Sequence, residues 1–297
     1  MRDLDAVLEP LQSRLGPLEG EPLALSGGIT NRNFRVRLGG GEYVVRLAGE
    51  RSSLLGIDRT AERLASEAAA RLGIGPPVLA GVEDCLVTGF IEGSPVAGRE
   101  PAERAVELAG ALRSFHGCGL RLPVSFAVGE LLEQYSATVR ARGGELPRGY
   151  ALASSVAARI SEAVGAVESR PCHDDLLAAN IIRSADGGRL MIVDWEYAGM
   201  GDPRFDLGNL AVNNDFAEAD EERLLTAYYG ATPTDAQRAA LKLMRLMSDV
   251  REAAWGVVQG VLSELEFDFR GYAGEHFERL RSAVAEPDFE EWLAAAG

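Results

Sequence analysis

The 297-residue chain is 46% hydrophobic and 25% charged, with 45 acidic against 30 basic residues and a formal net charge of −15. This composition suits a soluble globular protein with apolar material for two cores, and the surplus acid repels nucleic acid and anionic membrane while tolerating a cationic ligand. Cys85, Cys118 and Cys172 match no metal-ligand spacing and read as reduced thiols of a cytoplasmic protein, the N-terminus lacks a secretory-signal pattern, and no apolar run reaches the roughly 18 residues of a membrane span.

Residues 3–15 read as a short amphipathic helix ending at Gly16-Pro17. Phe34, Val36 and Leu38 then alternate with polar residues. Gly39-Gly40-Gly41 supplies a turn, and Tyr43, Val45 and Leu47 resume the alternation, so the segment is a β-hairpin with one buried face and Arg46 on the other. A helix is expected over 60–72, capped by Thr60 and ended by Gly73, followed by a strand from Cys85 to Ile91. Glu92-Gly93-Ser94-Pro95 breaks that strand and marks the expected boundary between a small lobe, residues 1–92, and a larger lobe, residues 93–297. The larger lobe reads as mostly helical, with helices near 101–116, 129–142, 151–168, 217–229, 234–265 and 275–284.

One β segment interrupts these helices and carries the most informative residues. Ile181-Ile182 and the run from Leu190 to Val193 flank Asp186-Gly187-Gly188, a second hairpin. Centring its turn on Gly187 places Asn180 opposite Asp194 at the open end, beside Asp175. An amide oxygen and carboxylates so grouped suit Mg²⁺. His173, Asp175 and Asn180 also follow the H-x-D-x-x-x-x-N spacing of a kinase-type catalytic loop. In phosphoryl transfer one carboxylate takes the proton of the attacking hydroxyl while others hold the metal. Singly, each of these residues reads as a cap or a structural polar group.

The segments SGGITNRNFRV (26–36), EYVVRL (42–47), LVTGFIEG (86–93), HDDLLAAN (173–180), IVDWEYAG (192–199) and FDLGNLAVNN (205–214) give the chain a clear likeness. It resembles the choline/ethanolamine kinase branch of the aminoglycoside phosphotransferase-like superfamily. EAAWGVVQ (252–259) and EFDFRGYAGEHFERL (266–280) extend the resemblance toward the C-terminus. The resemblance implies an α+β, protein-kinase-like fold of two lobes, the smaller built on an antiparallel sheet and the larger mostly helical. It implies an ATP- and magnesium-dependent phosphotransferase acting on an alcohol.

Carried over position by position, the resemblance makes Asp175 the catalytic base, with His173 shaping its loop, and Asn180 and Asp194 the metal ligands. Asp206 holds the loop from behind, although a helix N-cap fits it equally. Ser26, Gly27, Thr30 and Asn31 belong to the phosphate-covering loop, where glycines admit close approach of backbone N–H groups. Arg46 stands where kinases usually carry a phosphate-contacting lysine, with Glu62 its expected ion-pair partner and Glu67 the runner-up. Arginine keeps the charge and adds a bidentate fork. Phe90 and Ile91 form the adenine hinge. Trp255 and Tyr272 match two rings of a cage for a cationic acceptor, Val258 replaces a further ring, and Glu196 and Asp215 supply negative charge nearby. The partner implied is a small, cationic alcohol, choline or ethanolamine. The lost ring leaves open another acceptor, such as an aminoglycoside, thiamine or a sugar derivative. A nucleotide-binding pseudokinase is disfavoured because Asp175, Asn180 and Asp194 are all present.

Overall fold

The computed structural model describes residues 4–25, 31–49, 51–82 and 85–297. Its first sheet contains β1 (Leu23–Leu25), β2 (Asn31–Leu38), β3 (Gly41–Ala48), β4 (Val78–Val82) and β5 (Cys85–Gly89), in the order β1-β2-β3-β5-β4 with antiparallel neighbours. The β2–β3 turn is a two-residue one: Gly39 and Gly40 have φ of 55° and 80°, and Leu38 pairs with Gly41. Both turn positions need the left-handed backbone that glycine adopts without strain. The alternation expected from sequence follows. Val36, Leu38, Val45 and Leu47 are buried against Val7, Leu8 and Leu11 of α1 (Leu4–Leu15), and Arg46 points from the opposite face.

Helix α2 (Arg59–Leu72) starts one residue before the expected position, because Asp58 and not Thr60 caps it by accepting the Ala61 N–H at 2.8 Å. Gly73 ends it with φ of 71°, as expected. Its alanine face, Ala61, Ala65, Ala68 and Ala69, is buried in the core that contains α4 rather than against the first sheet's core.

The strand expected over 85–91 stops at Gly89, and the break after it is itself β6 (Gly93–Pro95). It pairs with β8 (Ile181–Ser184) and, through it, with β9 (Leu190–Ile192). A two-stranded sheet joins β7 (Arg170–Cys172) to β10 (Gly199–Gly201). Helices α3 (Glu100–Glu103), α4 (Ala105–His116), α5 (Val128–Ala141), α6 (Gly149–Val164), α7 (Pro203–Asn213), α8 (Glu218–Tyr229), α9 (Asp235–Leu262), α10 (Phe269–Ala285) and α11 (Pro287–Ala295) complete the chain. The helix expected over 101–116 is therefore two, and α10 begins earlier than expected because Asp268 caps it through the Gly271 N–H at 2.8 Å. Helix α11 was not expected at all.

The 28-residue α9 is the axis of the larger lobe. Thr234 and Gln237 cap it reciprocally, and α5, α6, α7, α10 and α11 pack around it. Gly208 of α7 lets that helix lie directly on α9, since a Cβ there would come within 2.5 Å of the Met244 backbone. A helix so surrounded must bury even its charged positions, and α9 buries Asp249, Arg251 and Glu252. No described helix is long and apolar enough to cross a membrane.

Candidate active site

The loop between β7 and β8 carries His173, Asp175 and Asn180, and α7 holds it from behind. Asp206, fully buried, accepts the backbone N–H groups of His173 and Asp174 at 2.8 Å each, and His116 Nε2 lies 2.9 Å from the same carboxylate. Burial alone raises its pKa, but the His116 hydrogen bond and the neighbouring imidazoles and N–H groups hold it below the usual carboxylate range. The N-cap of α7 is Asp202, so Asp206 is free of that task. One turn on, Asn209 accepts the Leu176 N–H, and Asn214 donates to the Leu176 carbonyl at 3.0 Å.

His173 is fixed at both ring nitrogens. Nδ1 accepts the Asp175 N–H at 3.2 Å, so Nε2 carries the hydrogen given to the Val193 carbonyl at 2.9 Å. Burial lowers its pKa and keeps the ring neutral. Both ring nitrogens thus bond backbone groups, which positions the loop.

Asp175 is buried and held on both oxygens. Asn180 Nδ2 donates to Oδ2 at 3.1 Å and to the Asp175 carbonyl at 2.9 Å, and Arg251 Nη1 donates to Oδ1 at 3.1 Å. Burial pushes the Asp175 carboxyl up to about 7, with Arg251 opposing the rise and the carboxylates of Glu252, Asp194 and Glu196 adding to it. With its nitrogen spent on Asp175, Asn180 has its amide oxygen left for other work. The hairpin register differs from expectation by one residue. Ile181 pairs with Ile192, and the Val193 N–H donates to the Asn180 carbonyl at 2.9 Å, so Asn180 faces Val193 and not Asp194. Asp194 lies just past the pairing in a left-handed conformation, φ 66° and ψ 57°, which aspartate tolerates better than most residues.

Across the cleft from Asp194, Arg46 Nη1 donates to Asp194 Oδ1 at 2.5 Å and to Glu62 Oε1 at 2.9 Å. The expected Glu62 partner is the one found, and Glu67 instead pairs with Arg63 at 2.8 Å. Burial lowers the Arg46 pKa, but the Asp194, Glu62 and Glu196 charges more than reverse this, so the guanidinium stays charged. Arg59 extends the network to Glu62 at 2.7 Å, to Glu196 at 3.3 Å and to Asn31 at 2.8 Å, while Asn31 Nδ2 donates to Glu196 at 2.7 Å. Glu196, expected beside the acceptor, therefore stands with Asn31 and Arg59. The 3₁₀ turn Trp195–Tyr197 directs it there. Burial, then Asp194, pushes its carboxyl up to about 7. Ser26, Gly27 and Thr30 lie outside the described residues.

At the expected hinge, the Phe90 N–H is already given to the Glu42 carbonyl at 3.0 Å. The Arg35 guanidinium lies 4.0 Å from the Phe90 ring centroid.

Trp255 and Tyr272 come together, their rings 5.7 Å apart and nearly edge-on at 72°. Trp255 Nε1 donates to Tyr197 Oη at 2.8 Å, and Tyr272 Oη donates to Glu252 Oε2 at 2.6 Å. Val258 is fully buried in the core. Asp215 does not join this group through any hydrogen bond of its carboxylate among the described residues. It is exposed, with φ of 50°, and its carbonyl accepts from Arg99 at 3.0 Å. The carboxylate bonded to the Tyr272 hydroxyl is Glu252, which also accepts from Arg251 at 2.6 Å. Arg251, Glu252 and Arg59 were missed from sequence. The signal for the first two is a charged pair directly before the apolar run 253–258 of α9.

Residues 22–241 match the family model described as "Phosphotransferase enzyme family". The chain is 30% identical to a choline/ethanolamine kinase family protein from Mesorhizobium loti, covering 97% of this chain and 98% of that one with a TM-score of 0.77. It is 25% identical to LicA solved in complex with AMP, over 94% and 97% of the two chains with a TM-score of 0.72. The Arabidopsis thaliana protein called probable choline kinase 1 is 23% identical over 93% of this chain and 92% of its own.

Proposed function

The chain belongs to the phosphotransferase enzyme family, in its choline/ethanolamine kinase branch, and from that premise we propose that it transfers the γ-phosphoryl group of ATP to the hydroxyl of choline or ethanolamine. The observation that carries this reading is Asp175, a buried carboxylate fixed on both oxygens, linked through Arg251 and Glu252 to Tyr272 beside Trp255. In this reading the base and an amine-accepting wall belong to one hydrogen-bonded chain.

Asp175 orients the acceptor hydroxyl and takes its proton as the new P–O bond forms and the bond to ADP breaks. Arg46 and Arg59 face the phosphates, and Ile91 meets the adenine. Asn180 and Asp194 would hold magnesium, whose charge neutralises the phosphate oxygens. The donor set fits: hard oxygen atoms only, with the pKa of Glu196 pushed up to about 7 in part by Asp194, the crowding of negative charge that a divalent cation relieves. The cationic end of the acceptor lies against Trp255 and Tyr272.

A kinase for another hydroxylated substrate is the second reading, favoured by Val258, whose burial leaves the two rings without a third from that position. ADP formation by the purified chain with magnesium, ATP and choline, ethanolamine, thiamine or an aminoglycoside separates the two. Turnover dependent on choline or ethanolamine supports the first, and turnover confined to another alcohol contradicts it.

A further inference from the structure

The oxygen of Asp175 that Asn180 does not hold is held from a distant element. Arg251 lies on α9, 76 residues along the chain from Asp175, with its side chain only 2% exposed. One nitrogen, Nη1, serves both Asp175 Oδ1 at 3.1 Å and Glu252 Oε1 at 2.6 Å. The guanidinium carbon lies 4.4 Å from the Tyr197 ring centroid, which fixes the plane of the fork. A buried guanidinium is costly to desolvate, and its remaining nitrogens, Nε and Nη2, have no hydrogen-bond partner among the described residues. Packing an uncharged side chain there would avoid that cost. The charge instead joins two carboxylates, one at the base and one at the acceptor wall.

We propose that Arg251 is a positioning residue for phosphoryl transfer, locking the Asp175 carboxylate to α9 through the chain Asp175–Arg251–Glu252–Tyr272. The assignment rests on the kinase reading above. Asn180 alone leaves the carboxylate able to swing about its side-chain torsions. Two grips from two elements leave one orientation, with the remaining lone pairs toward the acceptor. The same chain carries the position of Tyr272 to the base, so a correctly seated acceptor and a correctly aimed base share one scaffold.

The test uses the full chain and the acceptor that the wild type accepts. Arg251→Gln is expected to lower kcat about 100-fold, the scale of a misplaced catalytic group. Arg251→Lys, which keeps the charge but not the planar fork, is expected to recover about tenfold of that loss. Nucleotide affinity, read by thermal shift with Mg-ATP, stays within about twofold in both, because no nucleotide-side residue is touched. Added to Asp175→Asn, Arg251→Gln has no further effect, since a residue acting through Asp175 has nothing left to position. Wild-type kcat in either folded variant overturns the proposal. So does a loss of nucleotide affinity as large as the loss of kcat, which marks general loosening of the fold. If Arg251→Gln does not fold, Arg251→Lys decides, with a kcat below wild type at unchanged nucleotide affinity in favour and an unchanged kcat against. A wild-type chain that transfers phosphate to no acceptor removes the kinase reading itself, and the positioning role with it.

Discussion

Arg46 on β3 and Asp194, just past the end of β9, form an ion pair of 2.5 Å across 148 residues of sequence, joining the first sheet to the β8–β9 hairpin. The arginine assigned to the phosphates and the carboxylate assigned to the metal thus neutralise each other, and entry of a magnesium–nucleotide complex must redistribute both. Arg46→Met should raise the KM for Mg-ATP about 10- to 100-fold, the equivalent of one hydrogen bond to a charged group. Steady-state kinetics at saturating acceptor measure this, and an unchanged KM removes Arg46 from the phosphate side.

Asp194→Ala should separate the metal from the nucleotide. In the wild type, magnesium is expected to increase the thermal stabilisation given by ATP, and a chelator to abolish transfer. In the variant, magnesium should leave the ATP-induced shift unchanged. A full magnesium response in Asp194→Ala assigns the metal to other oxygens.

The clamp beneath the loop can be tested by stability. Asp206→Ala strands the N–H groups of His173 and Asp174 and the His116 ring in a fully buried place. The expected loss is about 3 kcal/mol in urea unfolding, the usual scale for breaking one partner out of a buried charged network. A loss below about 1 kcal/mol shows that the loop is held by Asn209 and Asn214 instead.

The pH dependence of stability follows from Glu196. Its folded pKa, near 7, lies above the unfolded value of 4.5, so the folded state binds the proton more tightly. The stability this provides is complete below 4.5 and is lost as pH rises through 7. Glu196→Gln cannot lose a proton, so its stability relative to the nucleotide-free wild type should increase from pH 4.5 to pH 7. Melting curves of both proteins without metal check this, and a constant difference contradicts it.

The candidate loop was legible because its polar residues are contiguous. His173, Asp175, Asn180 and Asp194 lie within one loop and one hairpin, and hairpins pair locally. The register was still one residue off, because a turn containing Asp186, Gly187 and Gly188 has no centre visible in sequence, while backbone pairing fixes it at Asn180–Val193. Glu62 was legible as the partner of Arg46 because a hairpin face and one helix face are periodic. Arg251 was not. Helical periodicity says which residues face inward, but it does not say that position 251 of α9 reaches position 175. Glu196 shows the converse: one residue separates it from Asp194, yet a 3₁₀ turn sends it to Asn31 and Arg59.

Asp175 is the proposed acceptor of the substrate hydroxyl's proton. A single-turnover measurement of phosphoryl transfer from Mg-ATP, with choline or ethanolamine as acceptor, compares the wild type with Asp175→Asn while nucleotide binding is followed in parallel. Transfer should fall by about 1,000-fold or more in the variant with nucleotide affinity within about threefold of wild type. Transfer at the wild-type rate in Asp175→Asn would contradict the account.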